Sequence, residues 1–173
     1  MHPLVTRFLV RHEPRRDWRV HAKSATATTA SVTLIGALGA ATGLPMLLGP
    51  LGPTALLIFG QPDAPGAQPI NIFAGYLIGA IVAAASLSLG PEPWWMATLG
   101  VGLTMVLMLV LRVTHPPAAA VPLLAYPGPV DPLTLFVVLF LACLMLVLLG
   151  VVLHRLPPRH RYPLPIEQEI DQE

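Results

Sequence analysis

The 173-residue chain is 54% hydrophobic and 11% charged, with a mean hydropathy of +0.69 and a formal net charge of +1. Soluble domains carry about 25% charged residues, so this composition excludes an ordinary soluble domain and predicts an integral membrane protein. The single cysteine, Cys143, excludes an intrachain disulfide and leaves the redox compartment undefined.

Residues 1–23 form a basic leader, with six arginines or lysines against two acids. Apolar residues recur at helical spacing within Leu4–Leu9, which predicts a short helix lying on the membrane surface beside anionic headgroups. A disordered basic arm is the alternative. The excess of basic residues before the first span predicts a cytoplasmic N-terminus.

Four long apolar runs follow the leader, and each is predicted to be a membrane helix. They are Ser24–Gly43, Ile70–Leu89, Trp94–Leu111 and Leu133–Leu153. Small residues in the second run predict close helix packing. These residues are Ala74, Gly75, Gly79, Ala80 and Ala83–Ala85.

Prolines interrupt the chain twice. In Leu44–Gly60 they exclude a regular helix as far as Pro53, where a short helix is predicted to begin. In the second segment Pro116 and Pro117 predict a non-helical stretch followed by a short helix from Pro117. Irregular backbone at membrane depth occurs only where protein or a water-filled cavity surrounds it.

The same order of parts occurs in both halves of the chain. Pro53 and Pro117 are 64 residues apart, and Pro69 and Pro132, which precede the following long helices, are 63 apart. The predicted fold is therefore an all-α integral membrane protein built from two repeats of long helix, proline-broken short helix and long helix. The four long spans and two broken segments divide into repeat 1, about residues 24–90, and repeat 2, about 94–154.

The broken segments have two predicted arrangements. If they re-enter, four spans cross the membrane; if they cross, there are six passes and the halves are inverted. The six-pass arrangement is favoured, because it also places Arg112 on the basic, cytoplasmic side. Residues 155–173 are predicted to be a polar cytoplasmic tail.

Three motifs carry a resemblance to a known family. Gly49-Pro-Leu-Gly-Pro-Thr54, Ala67-Gln-Pro-Ile-Asn71 and Thr114-His-Pro-Pro-Ala118 occur in the order found in the HPP family of integral membrane proteins, which the chain resembles over about residues 20–155. Characterised members in plastids and cyanobacteria are associated with nitrite transport. The resemblance therefore implies transport of a small anion similar to nitrite.

The chain departs from the family pattern at two positions. Ile70 stands where arginine is usual, and Ala119 stands where glycine is usual. The first departure removes a cation that could have paired with an anion.

The predicted mechanism uses the amino ends of the two short helices, where unpaired N–H groups and the helix dipole favour an anion. His115, with an ordinary pKa of about 6.5, is predicted to carry a proton with the anion; its alternative role is to bond carbonyls that the prolines leave free. Gln68 and Asn71 are predicted to be gate or pore groups. The predicted pathway residues are Pro53, Thr54, Ala55, Gln68, Asn71, Thr114, His115, Pro116, Pro117, Ala118 and Ala119.

The predicted partners are a nitrite-like inorganic anion, membrane lipids and further copies of the chain. No enzyme activity, cofactor or metal is predicted, because no second catalytic or metal-binding side chain accompanies His115 in the sequence. No nucleic-acid partner is predicted, because the basic leader is more typical of a lipid contact. A non-transporting scaffold or sensor in the membrane is the alternative function. The predicted location is a bacterial inner membrane with both termini in the cytoplasm.

Overall fold

The computed structural model describes residues 9–10, 13–89, 94–125 and 131–165, which form helices and connecting segments but no strand. In chain order the helices are α1 (Trp18–Thr42), α2 (Leu51–Gly60), the 3₁₀ turn η1 (Pro65–Ala67), α3 (Pro69–Ser88), α4 (Trp94–Val110), the 3₁₀ helix η2 (Pro116–Ala125) and α5 (Pro132–His154). Helices α1, α3 and α5 are long and apolar enough to cross a membrane, whereas α2 and α4 are shorter apolar helices. The all-helical prediction is confirmed.

Helix α1 begins within the predicted leader, at Trp18 rather than at Ser24. The side chain of Asp17 caps it by accepting a hydrogen bond from the N–H of Arg19 at 3.0 Å. The leader therefore ends near Asp17, and the last six of its predicted residues are helical. The predicted surface helix at Leu4–Leu9 lies largely outside the described residues.

Helix α4 has 17 residues and is one residue shorter than its predicted span. It ends at Val110 because Arg112 takes the left-handed conformation, with φ 57°. The N–H of Val113 then donates to the carbonyl of Met108, and the N–H of Arg112 to that of Leu109. This pair of bonds satisfies the last carbonyls of the helix and stops it.

The first interrupted segment differs from the prediction in where its helix starts. Helix α2 begins at Leu51, two residues before Pro53, with Pro50 as its N-cap. A turn precedes it, since the N–H groups of Leu51 and Gly52 donate to the carbonyls of Leu48 and Gly49. Pro53 is tolerated because a proline in the first turn lacks an N–H that has no intrahelical partner anyway.

The second interrupted segment contains a 3₁₀ helix rather than an α-helix, and this helix begins at Pro116, one residue before the predicted start. Pro116, Pro117 and Pro122 remove three N–H donors, and a proline inside an α-helix clashes with the carbonyl four residues earlier. The 3₁₀ form uses bonds between residues three apart, beginning with Ala118 N–H to His115 O at 3.0 Å.

The start of α1 and the ends of α2 and α5 meet at one end of the bundle, which we call the terminal end. Ser24 donates from its hydroxyl to the carbonyl of Phe59 at 2.6 Å. His154, at the end of α5, contacts the carbonyl of Ile58 through Nε2 at 2.7 Å. The chain turns at this end through η1 and then starts α3.

The remaining segments alternate in direction. Helix α4 runs against α3, because Gly100 lies beside Val82 whereas Met108 lies beside Gly75. Helix η2 then runs along α3, with His115 next to Gly75 and Val121 next to Gly79. Helix α5 returns to the terminal end. The two ends of the helical region therefore lie on the same side of the bundle.

Long helices of each half of the chain pack against segments of the other half. Helix α3, from the first half, contacts α4 and η2 of the second half. Helix α5, from the second half, contacts α1 and α2 of the first half, and α3 and α5 contact each other. Neither half therefore buries its apolar surface without the other.

Glycines allow η2 to lie against α3 and α4. A β-carbon at Gly75 would lie 2.8 Å from Cβ of His115, and one at Gly79 would lie 2.7 Å from the carbonyl oxygen of Ala118. At Gly100 it would lie 2.8 Å from Cβ of Pro122. The close packing predicted for Gly75 and Gly79 is confirmed.

The segment after α5 folds back onto the terminal end as far as residue 165, rather than forming a free tail. Lys23 donates from Nζ to the carbonyls of Leu156 and Pro158 at 2.7 and 2.6 Å. Tyr162 is buried and donates to the carbonyl of Ala67 at 2.9 Å. Burial raises the pKa of Tyr162, so its hydroxyl stays protonated and keeps donating.

Candidate functional site

His115 is fully buried where η1, α2 and α3 meet the start of η2. Its Nδ1 lies 2.7 Å from the carbonyl oxygen of Gly66, and its Nε2 lies 2.9 Å from Oγ1 of Thr54. A carbonyl oxygen only accepts, so Nδ1 carries a proton. In the neutral ring Nε2 then accepts the hydroxyl hydrogen of Thr54.

Tyr76 of α3 completes this group of polar side chains. Its hydroxyl oxygen lies 2.7 Å from Oγ1 of Thr54 and 2.9 Å from the carbonyl oxygen of Pro50. Thr54 Oγ1 is also 3.0 Å from that carbonyl. The side chains of His115, Thr54 and Tyr76, with the carbonyls of Pro50 and Gly66, are called the His115 cluster below.

The His115 cluster satisfies its hydrogen bonds whether the imidazole is neutral or protonated. In the neutral state Thr54 donates to Nε2 while Tyr76 donates to the carbonyl of Pro50. In the protonated state Nε2–H donates to Oγ1 of Thr54, whose own hydrogen rotates towards the carbonyl of Pro50. Because buried unpaired donors and acceptors are costly, this freedom keeps the donors and acceptors of the site paired in either protonation state.

The structure brings two of the predicted side chains, His115 and Thr54, into direct contact. Thr114 contributes its carbonyl, which lies 3.4 Å from Nδ2 of Asn71. Asn71 also donates to the carbonyl of Pro65 at 2.9 Å. Asn71 therefore holds the backbone beside the His115 cluster and does not enter it.

Both the nitrogen and the oxygen of the Gln68 side-chain amide form hydrogen bonds. Nε2 lies 2.9 Å from the carbonyl of Pro62 and 3.2 Å from that of Ala64. Oε1 accepts from the N–H of Leu164 at 2.9 Å. In this conformation Gln68 holds the α2–α3 connection to the segment after α5, and its predicted role as a gate stays a prediction.

The backbone donors predicted to bind an anion are engaged within the protein. The N–H of Thr54 donates to the carbonyl of Pro50 at 3.3 Å, and that of Ala118 to His115 O at 3.0 Å. Ala55 and Ala119 lie inside their helices, where N–H groups bond along the helix. Pro53 and Pro116 are exposed and Pro117 is buried, so the prolines shape the backbone without presenting a donor.

Tyr76 and the two carbonyls of the His115 cluster are not among the residues predicted from the sequence. One signal pointed to Tyr76, since a tyrosine in an otherwise apolar membrane helix needs a partner for its hydroxyl. The carbonyls of Pro50 and Gly66 give no sequence signal, because every residue has one.

Neither of the two cavities described in this structure is lined by His115. One is an apolar groove of about 320 Å³ between α3 and α5, bordered by Phe73, Phe136 and Phe140. The other lies at the terminal end, between the start of α1 and the Pro157–Pro158 turn. Among the described residues no group of three or more His, Cys, Asp or Glu side chains lies close enough to hold a metal ion.

The described residues form helices, three of which are long and apolar enough to cross a membrane, and this defines the class of integral membrane proteins. Residues 13–163 match the HPP transmembrane region, and the chain belongs to this family. It is 27% identical over 127 residues to a transmembrane protein of Dictyostelium discoideum, covering 69% of this chain and 45% of that protein. The chain thus spans less than half of that relative's length. No solved structure matches it.

Proposed function

We propose that this protein is a small-anion transporter or channel, with nitrite or a similar oxyanion as substrate, and that the His115 cluster is its binding site. The observation that carries the proposal is the position of the cluster. An ionisable side chain within a membrane domain is rare and points by default to function. Here it lies where both proline-interrupted segments meet, as substrate sites do in transporters built from repeats.

Side-chain donors replace the predicted helix N–H groups in this proposal. With His115 protonated, Nε2–H and the hydroxyls of Thr54 and Tyr76 are three neighbouring donors, since Nε2 and the Tyr76 hydroxyl oxygen lie 2.9 and 2.7 Å from Oγ1 of Thr54. An oxyanion that enters there replaces the carbonyl of Pro50 and Oγ1 of Thr54 as their acceptor. Charge-assisted bonds of this kind are about twice as strong as neutral ones. In this proposal the described conformation corresponds to a closed state, because protein atoms accept the hydrogen bonds of these donors.

We propose that all six segments cross the membrane and that the two halves are inverted repeats. The alternating directions of the segments and the exchanged packing of α3 and α5 support this arrangement. Three passes in each half reverse the orientation of the second. Self-association into a homo-oligomer stays a prediction.

We propose that the terminal end faces the cytoplasm. Among the described residues, Asp131 is the only charged side chain at the opposite end, whereas the basic residues lie at the terminal end. Cytoplasmic loops of membrane proteins carry an excess of lysine and arginine, which supports this orientation. These basic residues are Arg15, Arg16, Arg19, Lys23, Arg112, Arg155, Arg159 and Arg161.

Single-cysteine labelling tests the orientation. Cys143 is buried and is replaced by alanine to give the background. In intact cells a membrane-impermeant maleimide is expected to label Asp131→Cys, whereas Arg159→Cys should react only after permeabilisation, because the two exposed positions lie at opposite ends of the bundle. Labelling of both variants from one side would contradict the six-pass arrangement.

Flux into proteoliposomes tests the function. Vesicles containing the protein are expected to take up nitrite faster than empty vesicles, and an inward proton gradient is expected to increase the rate if a proton accompanies the anion. Nitrate and formate measured in parallel define selectivity. Folded, monodisperse protein that moves none of the three anions would contradict the proposal.

A membrane scaffold or sensor is the second candidate function. It is favoured by the closed His115 cluster, whose side chains all have partners inside the protein. Stable binding of a partner protein to residues 155–173, without anion flux, would support it.

A further inference from the structure

Two histidines at the terminal end have buried ring nitrogens that the His115 cluster does not use. His154 ends α5 and is 3% exposed, and His160 lies in the segment that folds back over it. Nδ1 of His154 and Nε2 of His160 are both buried, and neither has a hydrogen-bond partner among the described residues. Such atoms are rare in folded proteins and call for a ligand or an ordered water.

The hydrogen bond on the other side of the His154 ring defines its tautomer. Nε2 lies 2.7 Å from the carbonyl oxygen of Ile58, which only accepts, so Nε2 carries the proton. In the neutral ring Nδ1 then carries a lone pair, and this nitrogen is buried. Histidines that ligate metals show the same arrangement, with the second ring nitrogen donating to a carbonyl or carboxylate.

The position of His154 is fixed by packing as well. Its ring stacks on Phe59, with centroids 6.2 Å apart, and contacts Tyr162 at 5.4 Å. The backbone N–H of His160 donates to the carbonyl of His154 at 3.1 Å, which brings the second ring over the first. The fold therefore holds the two imidazole rings next to each other.

The separation of the rings suits a shared metal ion. Their centroids are 5.7 Å apart and their planes are perpendicular. A metal bound at ~2.0–2.1 Å from each nitrogen, with a tetrahedral angle between them, places two such centroids roughly 5.2 Å apart. A shift of a few tenths of an ångström in the segment carrying His160 closes the difference.

The charged groups that act on His154 are of both signs. Lys23 and Asp63 contribute opposite charges there, and Asp63 is itself paired with Arg16 at 3.4 Å. Lys23 donates to the carbonyls of Leu156 and Pro158, which fix the position of its ammonium group. Because Asp63 is already paired with Arg16, a dication at the histidine pair binds against the positive charge of Lys23, and the two imidazole ligands must outweigh that repulsion.

We propose that His154 and His160 bind one first-row transition-metal ion of the Zn²⁺, Ni²⁺ or Cu²⁺ type, with water in the remaining coordination positions. Imidazole nitrogen is a preferred ligand for these ions and a poor one for Mg²⁺ or Ca²⁺. The bound ion joins the segment after α5 to the end of that helix and so stabilises its folded-back position. This proposal is independent of anion transport.

The test uses Zn²⁺ as the probe and the full chain in detergent, purified through a tag that contains no histidine. Competition against a chromophoric zinc chelator is expected to show one site per chain. His160→Gln and His154→Gln should each weaken binding roughly tenfold or more, because each removes a ligand. The matched control is His21→Gln, which alters an exposed histidine on α1 and should bind as the wild type does.

Thermal unfolding provides the second measurement. Zn²⁺ is expected to raise the midpoint of the wild type and of His21→Gln, since a ligand that binds the folded state stabilises it. It should leave His160→Gln unchanged, and Mg²⁺ should have no effect on any variant. A wild type that binds no Zn²⁺, or a folded His160→Gln variant that binds it with wild-type affinity, would overturn the proposal.

Discussion

Replacement of His115 by alanine is expected to abolish nitrite flux in proteoliposomes and to lower the thermal midpoint of the protein. The substitution removes the ionisable group of the His115 cluster and one of its proposed donors to the anion. It also leaves the carbonyl of Gly66 without its partner, whereas the hydroxyl of Thr54 keeps the carbonyl of Pro50 and the hydroxyl of Tyr76. Each buried group left unpaired costs about 1–3 kcal/mol.

Two further variants separate a transport role for His115 from a structural one. His115→Gln introduces an amide, which can hydrogen-bond to Gly66 and Thr54 but does not titrate. This variant is expected to be more stable than His115→Ala but to lack proton-dependent flux. Tyr76→Phe keeps the ring and removes one hydroxyl, and it should reduce flux while the protein stays folded. If His115→Gln transports nitrite with the wild-type dependence on the proton gradient, His115 serves the fold alone.

Substitution of Gly79 by alanine is expected to destabilise the protein by about 1–3 kcal/mol, the usual cost of forcing an extra carbon into a packed interior. The added β-carbon would lie 2.7 Å from the carbonyl oxygen of Ala118 and 3.0 Å from Cβ of Val121. Helix η2 has little room to retreat, because it also packs against α4, where Gly100 allows the same close approach to Pro122. Thermal unfolding in detergent measures the loss.

Gly102→Ala is the matched control for this variant. Gly102 lies in α4 with no atom within 4 Å of its added β-carbon. Alanine is favoured over glycine inside a helix by roughly 0.5–1 kcal/mol, so this variant should be as stable as the wild type or slightly more stable. Equal midpoints for the two alanine variants would show that η2 does not depend on the close approach at Gly79.

Much of the architecture could be predicted from the sequence because its causes are local. Hydropathy alone indicates the membrane helices, since a long apolar run has few other uses. A proline inside an apolar run either breaks a helix or lies in the first turn of a new one, so the prolines at positions 50, 53, 116 and 117 made both broken segments predictable. The burial of His115 and the close helix packing at Gly75 and Gly79 could likewise be predicted, from the apolar runs and from the small residues within them.

The tertiary structure decided which groups meet, because hydrogen bonds between distant segments leave no periodic signal. His115 contacts Gly66 and Thr54 across 49 and 61 positions, and Tyr76 joins Thr54 across 22. The N–H groups predicted for an anion proved to be engaged, because α2 starts earlier than its prolines suggest and η2 takes the 3₁₀ form. The return of the segment after α5, which places His160 over His154, likewise depends on contacts with Lys23, Ala67 and Gln68 that only the folded chain provides.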